Sequence, residues 1–188
     1  MTSARLTGLL GGAFDPPHIG HVALAEAAEQ QLGLGELVVI VVADPGHKEV
    51  HCPVETRLAL ARAAFPNRPV EFDDHARTVD MLREGRWRDP IFLIGADEFA
   101  DFPTWKEPGT VLELARLGVA SRPGYPGERL EEVLRGLEHP ERVLFFEIDP
   151  VSVSSREIRE KVARGESIDG LVPTAVAAEI AGRGLYRR

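Results

Sequence analysis

The sequence has little cysteine and lysine, and it has no long hydrophobic run. Its single cysteine, Cys52, cannot form an internal disulfide, which favours a reducing compartment and predicts a cytoplasmic protein. No apolar stretch approaches the roughly 18 residues of a membrane-spanning helix, so we expect no membrane partner. The apolar stretch 6–14 ends at Asp15 and two prolines, too early for a signal peptide.

Positive charge is also scarce. There are 30 acidic residues against 22 lysines and arginines, and the net charge is −8. A protein that binds nucleic acid along its surface is usually basic, so we expect no nucleic-acid polymer as a partner. An acidic protein can still bind anionic nucleotides, but only at a concentrated local site. Only three of the 22 cations are lysine, which makes Lys48 stand out.

Segments with the patterns of strands and of helices alternate along the chain. The predicted strands are 5–10, 37–42, 70–72, 91–94, 117–120 and 143–148. The predicted helices are 19–32, 55–65, 78–86, 111–116, 128–136, 155–163 and 174–181. This alternation predicts an α/β fold, a Rossmann-like doubly wound parallel sheet. We expect a single domain spanning residues 1–188, with two helices at its C-terminal end.

The first motif, at 11–21, follows the first strand and leads into the first helix. It reads Gly-Gly-Ala-Phe-Asp-Pro-Pro-His-Ile-Gly-His. Its paired glycines allow a ligand close to the backbone, and Gly20 is expected to leave space for a ligand. His18 and His21 share one face of the helix start, where unpaired N–H groups attract phosphate. We expect the two imidazoles to hold phosphoryl oxygens and to supply positive potential.

Other interpretations of this motif are weaker. A tight turn followed by two capping histidines would explain the residues without a ligand. A zinc site would need a third ligand, and none is near in the sequence. The motif is neither a dinucleotide fingerprint nor a P-loop, because it lacks the glycine spacing of the first and the Gly-Lys-Ser/Thr of the second.

The second motif follows the last predicted strand. Ser154 and Glu157 have the spacing of a capping box, which begins many helices that bind nothing. Arg159, one turn into the helix, can face an anion held at the same N-terminus. Both motifs follow carboxyl ends of strands, where ligands bind in doubly wound sheets.

These motifs resemble a known enzyme group. The string at 18–21 resembles the His-x-Gly-His signature of the nucleotidyltransferase superfamily, and the whole segment 11–21 more narrowly resembles nicotinate-nucleotide adenylyltransferases. The second motif resembles Ile-Ser-Ser-Thr-x-Ile-Arg of the same superfamily, with Arg156 where the family commonly has threonine. The resemblance runs over 9–186.

The resemblance implies roles for individual residues. The catalytic residues that it implies are His18, His21, Lys48 and Arg159. The ATP-binding residues are Gly11, Gly12, Phe14, Gly20, Gly95, Asp97, Ser154 and Ser155. The mononucleotide-binding residues are Asp15, Thr78, Trp105 and Arg122. Mg²⁺ would be carried with the ATP phosphates, and no metal would be held by a protein cage.

Several of these positions have a second interpretation. Asp97 would bind ribose hydroxyls, but aspartate is also a common helix N-cap. Trp105 would stack on the pyridine ring, but it also fits a core position at a helix start. Gly46 and Arg77 stand where the family has proline and tyrosine.

The resemblance implies transfer of AMP from ATP to nicotinate mononucleotide, giving deamido-NAD and pyrophosphate. Its partners are then ATP and the mononucleotide, and a homo-oligomer is left open. The alternative acceptors are nicotinamide mononucleotide and pantetheine phosphate, and a cytidylyltransferase is a further relative. A fragment of a class I aminoacyl-tRNA synthetase would lack its Lys-Met-Ser-Lys-Ser loop here. A different class of function is an ATP-binding module without turnover.

Overall fold

The computed structural model describes residues 6–45, 49–121 and 127–187, so the predicted site residues Lys48 and Arg122 lie outside the described residues. The strands are β1 (Leu6–Gly12), β2 (Leu34–Val42), β3 (Val70–Asp73), β4 (Ile91–Gly95), β5 (Arg116–Ser121) and β6 (Val143–Glu147). The helices are α1 (Ile19–Leu32), α2 (Val54–Ala64), α3 (Thr78–Arg83), α4 (Ala96–Asp101), α5 (Pro108–Leu114), α6 (Glu128–Gly136), α7 (Ser155–Ala163) and α8 (Thr174–Arg183).

The six strands form one sheet in the order β3-β2-β1-β4-β5-β6. The pairs β2–β3, β1–β4, β4–β5 and β5–β6 are parallel. Successive strands are added on one side of β1 and then, from β4 onward, on its other side. This reversal is the doubly wound arrangement, so the predicted Rossmann-like α/β fold is confirmed. None of the helices in the described residues is long and apolar enough to span a membrane.

Two compact units can be distinguished in the chain. The first comprises described residues of 1–11, 24–38 and 77–150, and its core includes Leu93, Val119 and Phe102. The second comprises described residues of 12–23, 39–76 and 151–188, and its core includes Phe65, Ile158 and Val176. The single domain expected for residues 1–188 stays a prediction.

The structure differs from several predicted elements. Strand β2 and helix α5 each begin three residues earlier than predicted, at Leu34 and Pro108, and three other differences have a local cause. Helix α4 was not predicted, because only two turns of mainly acidic residues cannot establish a helical period. Helix α3 ends at Arg83, three residues early, and Gly85 then takes a positive φ of 66°. Arg116 belongs to β5 rather than to the preceding helix, and its N–H donates to Pro90.

A buried arginine holds the carboxyl end of β2 against the first motif. Arg57 in α2 is 2% exposed. Its guanidinium donates to the backbone carbonyls of Ala13 (3.0 Å), Val42 (2.7 Å), Ala43 (2.7 Å) and Cys52 (3.2 Å). These carbonyls belong to loops and a strand end, where the backbone lacks regular partners. One side chain therefore satisfies acceptors from three separate segments.

Replacing Arg57 with methionine should strongly destabilise the protein. The change keeps the aliphatic stem but leaves several carbonyls without a donor, at about 1–3 kcal/mol for each buried unsatisfied group. We expect the free energy of unfolding in urea to fall by about 3 kcal/mol or more. The control is Arg62→Met, an exposed position on the same helix, which should change it by less than about 0.5 kcal/mol. Equal losses in both variants would contradict the role given to Arg57.

Candidate phosphate-binding site

The two histidines of the first motif lie against each other at the start of α1. Their rings stack with centroids 3.7 Å apart and planes 28° apart. The backbone N–H of His18 donates to Nδ1 of His21 at 3.1 Å. Because that nitrogen is an acceptor, the neutral His21 ring carries its proton on Nε2. The backbone thus selects the tautomer that keeps Nε2–H as a donor.

Close packing by the protein's own rings explains the glycines of this motif. A Cβ atom on Gly20 would lie 3.1 Å from the His18 ring, and one on Gly12 would lie 3.0 Å from the Phe14 ring. Phe14 is 1% exposed and meets His21 edge-on, with centroids 5.1 Å apart. A Cβ on Gly11 would lie 3.1 Å from the ring of Phe92. The space expected beside Gly20 for a ligand is therefore filled by an imidazole.

Burial changes what His18 can contribute. It lowers the pKa of His18 from 6.5 to about 4, and the buried Nδ1 has no hydrogen-bond partner within the described residues. His18 is therefore neutral at neutral pH in the free protein. Without bound phosphate, His18 therefore offers an N–H dipole rather than the positive charge expected of it, and its role toward phosphoryl oxygens stays a prediction.

Helix α7 is attached to the loop that precedes these histidines. The Ser154 side chain caps the helix by accepting from the N–H of Glu157 at 3.1 Å, which confirms the predicted N-cap. Ser155 Oγ donates to the carbonyl of Pro16 at 2.8 Å, and Arg159 Nη1 donates to the carbonyl of Asp15 at 2.7 Å. The two motifs therefore meet, although 139 and 144 positions separate the bonded residues.

Asp15 has an internal role that its sequence position does not reveal. The residue is 2% exposed, and its carboxylate accepts from the N–H of His51 and from the hydroxyl of Tyr186 at 2.6 Å. Both oxygens are engaged by the chain itself. This geometry favours a carboxylate that organises the loop, and a contact with the mononucleotide stays a prediction. Sequence reasoning assigned no function to Tyr186, whose only signal was the match to the family near the C-terminal end.

Gly95 and Asp97 lie in the other unit, where β4 leads into α4. Gly95 is the N-cap of α4, so Asp97 stands in the first turn and the interpretation of Asp97 as the N-cap is wrong. Its side chain is exposed. A Cβ on Gly95 would contact nothing within 4 Å among the described residues. An exposed carboxylate beside open backbone can accept hydrogen bonds from ribose hydroxyls.

Thr78 and Trp105 also lie in the unit that contains β4. Thr78 begins α3, and Lys106 binds Asp80 of that helix with two contacts of 2.9 Å. The Trp105 ring meets Phe102 and Phe92 edge-on, with centroids 5.3 and 6.2 Å apart, and the residue is half-buried. Trp105 therefore packs against core rings and keeps part of its surface open. Its two predicted roles, stacking and packing, are compatible.

One cluster in the described residues has the composition of a cation site. Asp73, Asp74 and His75 follow β3 with potential ligand atoms within 4.8 Å of one another. His75 Nδ1 already binds the Asp73 carboxylate at 2.7 Å. These residues are separate in sequence from both motifs.

Comparisons with known proteins identify a family for this chain. A family model described as Cytidylyltransferase-like matches residues 9–161. A protein of Roseiflexus sp. (strain RS-1), named Probable nicotinate-nucleotide adenylyltransferase, is 36% identical to this chain, with 100% of both chains covered. A Thermus thermophilus protein with the same name is 38% identical, with 96% of this chain and 98% of that protein covered.

A solved structure has the same fold. Plasmodium falciparum nicotinic acid mononucleotide adenylyltransferase complexed with NaAD superposes with a TM-score of 0.77 at 16% identity, and 97% of each chain is covered.

The free energy of unfolding should depend on pH through His18. Its folded-state pKa lies below the unfolded value of 6.5, so the unfolded chain takes up the proton first as the pH falls. The contribution of His18 is complete above about pH 6.5 and is lost as the pH falls towards 4. At about 1.4 kcal/mol per pKa unit, this loss amounts to roughly 3.5 kcal/mol at most.

Urea unfolding of wild type and His18→Asn between pH 7.5 and 4.5 tests this dependence. The difference between the two curves should shrink as the pH falls. His139→Asn is the control, because the side chain of His139 is 44% exposed. A pH dependence that is the same in wild type and in His18→Asn would contradict the buried, neutral state.

Proposed function

Because the chain belongs to the nicotinate-nucleotide adenylyltransferases, within the cytidylyltransferase-like family, we propose that it transfers AMP from ATP to nicotinate mononucleotide. The products are deamido-NAD and pyrophosphate, and the reaction belongs to NAD biosynthesis. The observation that carries the proposal is the attachment of α7 to the first motif, which gathers two histidines, a helix N-terminus and Arg159 in one unit.

The reaction needs positioning more than it needs a base. A phosphate oxygen of the mononucleotide attacks the α-phosphorus of ATP, and the bond from that phosphorus to the oxygen bridging to the β-phosphorus breaks. The electron pair leaves with pyrophosphate. The second pKa of a phosphate monoester is about 6, so the nucleophile is already ionised at neutral pH. Catalysis then rests on alignment and on stabilising charge on the phosphates.

The groups that would bind the ATP phosphates are the two histidines and α7. His21 offers Nε2–H, since its Nδ1 accepts from the backbone. His18 offers a neutral imidazole, and bound phosphate would raise its pKa by favouring the protonated form.

Arg159 supplies permanent charge and is assigned to the β- and γ-phosphates. Ser154 and Ser155 place the N-terminus of α7, whose dipole favours anions. Lys48 is assigned to the same phosphates, and this role stays a prediction.

Mg²⁺ enters this proposal as part of the ATP substrate. The only carboxylate in the first motif, Asp15, is buried and engaged by His51 and Tyr186. The groups that donate to it are the N–H of His51 and the hydroxyl of Tyr186, so both of its oxygens are already engaged. This composition fits Mg²⁺ held by phosphate oxygens and water rather than by protein ligands.

The adenosine and the acceptor are assigned to the residues near β4. Gly95 and Asp97 would bind the adenosine ribose, and Thr78 and Trp105 would bind the pyridine mononucleotide. Arg122 is assigned to the acceptor phosphate as a prediction. We further expect the enzyme to work in the cytoplasm, as its single cysteine favours.

Pyrophosphate release from ATP and Mg²⁺ tests the proposal directly. Nicotinate mononucleotide, nicotinamide mononucleotide and pantetheine phosphate are offered in turn, and we expect the highest kcat/KM with the first. His18→Ala and His21→Ala should each lower kcat by about 10²–10³, the effect of losing one fixed donor. His139→Ala is the matched control.

Each other outcome has a definite meaning. Near-normal kcat in both variants would remove the histidines from the reaction. A different preferred acceptor would replace the mononucleotide assignment. ATP binding without release of pyrophosphate for any acceptor would make the chain a nucleotide-binding module.

Trp105→Ala should raise the KM for nicotinate mononucleotide several-fold and leave the KM for ATP nearly unchanged. A positively charged pyridine ring on an indole face contributes about 0.5–2 kcal/mol. Trp87→Ala is the control, because Trp87 is the other tryptophan of the chain and contacts Arg86 at 4.5 Å. A lower melting temperature of Trp105→Ala with unchanged acceptor kinetics would assign Trp105 to packing alone.

A further inference from the structure

The first motif is fixed through one buried residue, Asp15. Its carboxylate accepts from the hydroxyl of Tyr186 and the N–H of His51, and its own carbonyl accepts from Arg159. Side chain and backbone of the same residue are therefore bound from three separate parts of the second unit. His18 lies three residues further along the chain, so a displacement of Asp15 would be passed to the histidines and to Arg159.

The chain after α8 is bent so that the phenol reaches this carboxylate. Helix α8 packs against α2 and ends at Gly184, which takes a positive φ of 62°. The N–H of Leu185 then donates to the carbonyl of Ile180 at 3.0 Å, which closes the helix end. Tyr186 follows with a φ of 62°, a conformation that tyrosine rarely adopts. The strain is tolerated only where the surrounding contacts hold the residue in place.

The hydroxyl of Tyr186 acts as a permanent donor. Burial raises the pKa of Tyr186 well above its ordinary value, and the hydrogen bond to Asp15 raises it further. The phenol therefore keeps its proton at any working pH. The positive charge of Arg57 also interacts with the Asp15 carboxylate, in addition to the two hydrogen bonds that the carboxylate accepts. A carboxylate held in this way has one orientation.

We propose that Tyr186 is a positioning residue for the adenylyl transfer: its hydroxyl fixes Asp15 and, through Asp15, the alignment of His18 and Arg159. The activity part of this inference rests on the proposed function. Tyr186 is assigned no contact with either substrate, so we expect its effect on alignment during the chemical step rather than on substrate binding.

Tyr186→Phe removes the hydroxyl and keeps the ring. With both substrates saturating, we expect kcat to fall by roughly tenfold to a hundredfold, the range of small misalignments, with each KM within about threefold. The matched control is Ser167→Ala, which removes another hydroxyl that donates to an aspartate, Asp169, at 2.8 Å on the exposed surface. It should leave kcat unchanged.

A double variant shows whether Tyr186 acts through Asp15. Asp15→Ala removes the acceptor of the same hydrogen bond, so the Tyr186→Phe change should cause no further loss of kcat in that background. Losses that multiply in the double variant would overturn the proposed route. If Tyr186→Phe does not fold, Asp15→Ala takes its place. A lower kcat with each KM within about threefold supports the route, and an unchanged kcat or a change in KM alone overturns it.

A second readout does not depend on activity. The ring resonances of His18 and His21 are compared by NMR in wild type, Tyr186→Phe and Ser167→Ala, without substrates. We expect shifts of both histidines in Tyr186→Phe only. Unshifted histidines together with an unchanged kcat would overturn the inference and leave the proposed function standing. If wild type shows no transfer, the NMR result alone decides whether Tyr186 positions the motif.

Discussion

The attachment of α7 to the loop before α1 is the contact on which the candidate site depends. Two side chains of α7 bind two consecutive backbone carbonyls, those of Asp15 and Pro16. Backbone carbonyls cannot turn away as side chains can, so this attachment fixes the path of the chain as well as its contacts. The helix N-terminus and the two histidines to which the phosphates are assigned are thereby held in one unit.

Much of the fold and part of the site could be predicted from the sequence. The central strands are apolar, and α1 and α7 have the predicted bounds because each begins at a strong local signal. Helix α4 is too short to have such a signal. The burial of Arg57 was also beyond prediction, because an arginine bound to four carbonyls and one exposed to solvent look identical in a sequence.

The chemistry of the histidines shows another limit of sequence reasoning. Two histidines on one helix face predict donors for phosphate, and their stacking agrees with that role. Whether such a ring is charged depends on burial, which the motif does not encode. Burial lowers the pKa of His18 so far that the ring is neutral at neutral pH. The free site therefore has fewer positive charges than its composition suggests.

The hydrogen bond between Tyr186 and Asp15 also has a consequence for synthesis on the ribosome. The two residues are 171 positions apart, so at about 5–20 residues per second Asp15 is made roughly ten to thirty seconds before Tyr186. During that interval the growing chain already contains both histidines, but it lacks the phenol that holds their loop. This hydrogen bond can therefore form only after Tyr186 has been synthesised, and a chain that stops before Tyr186 lacks it.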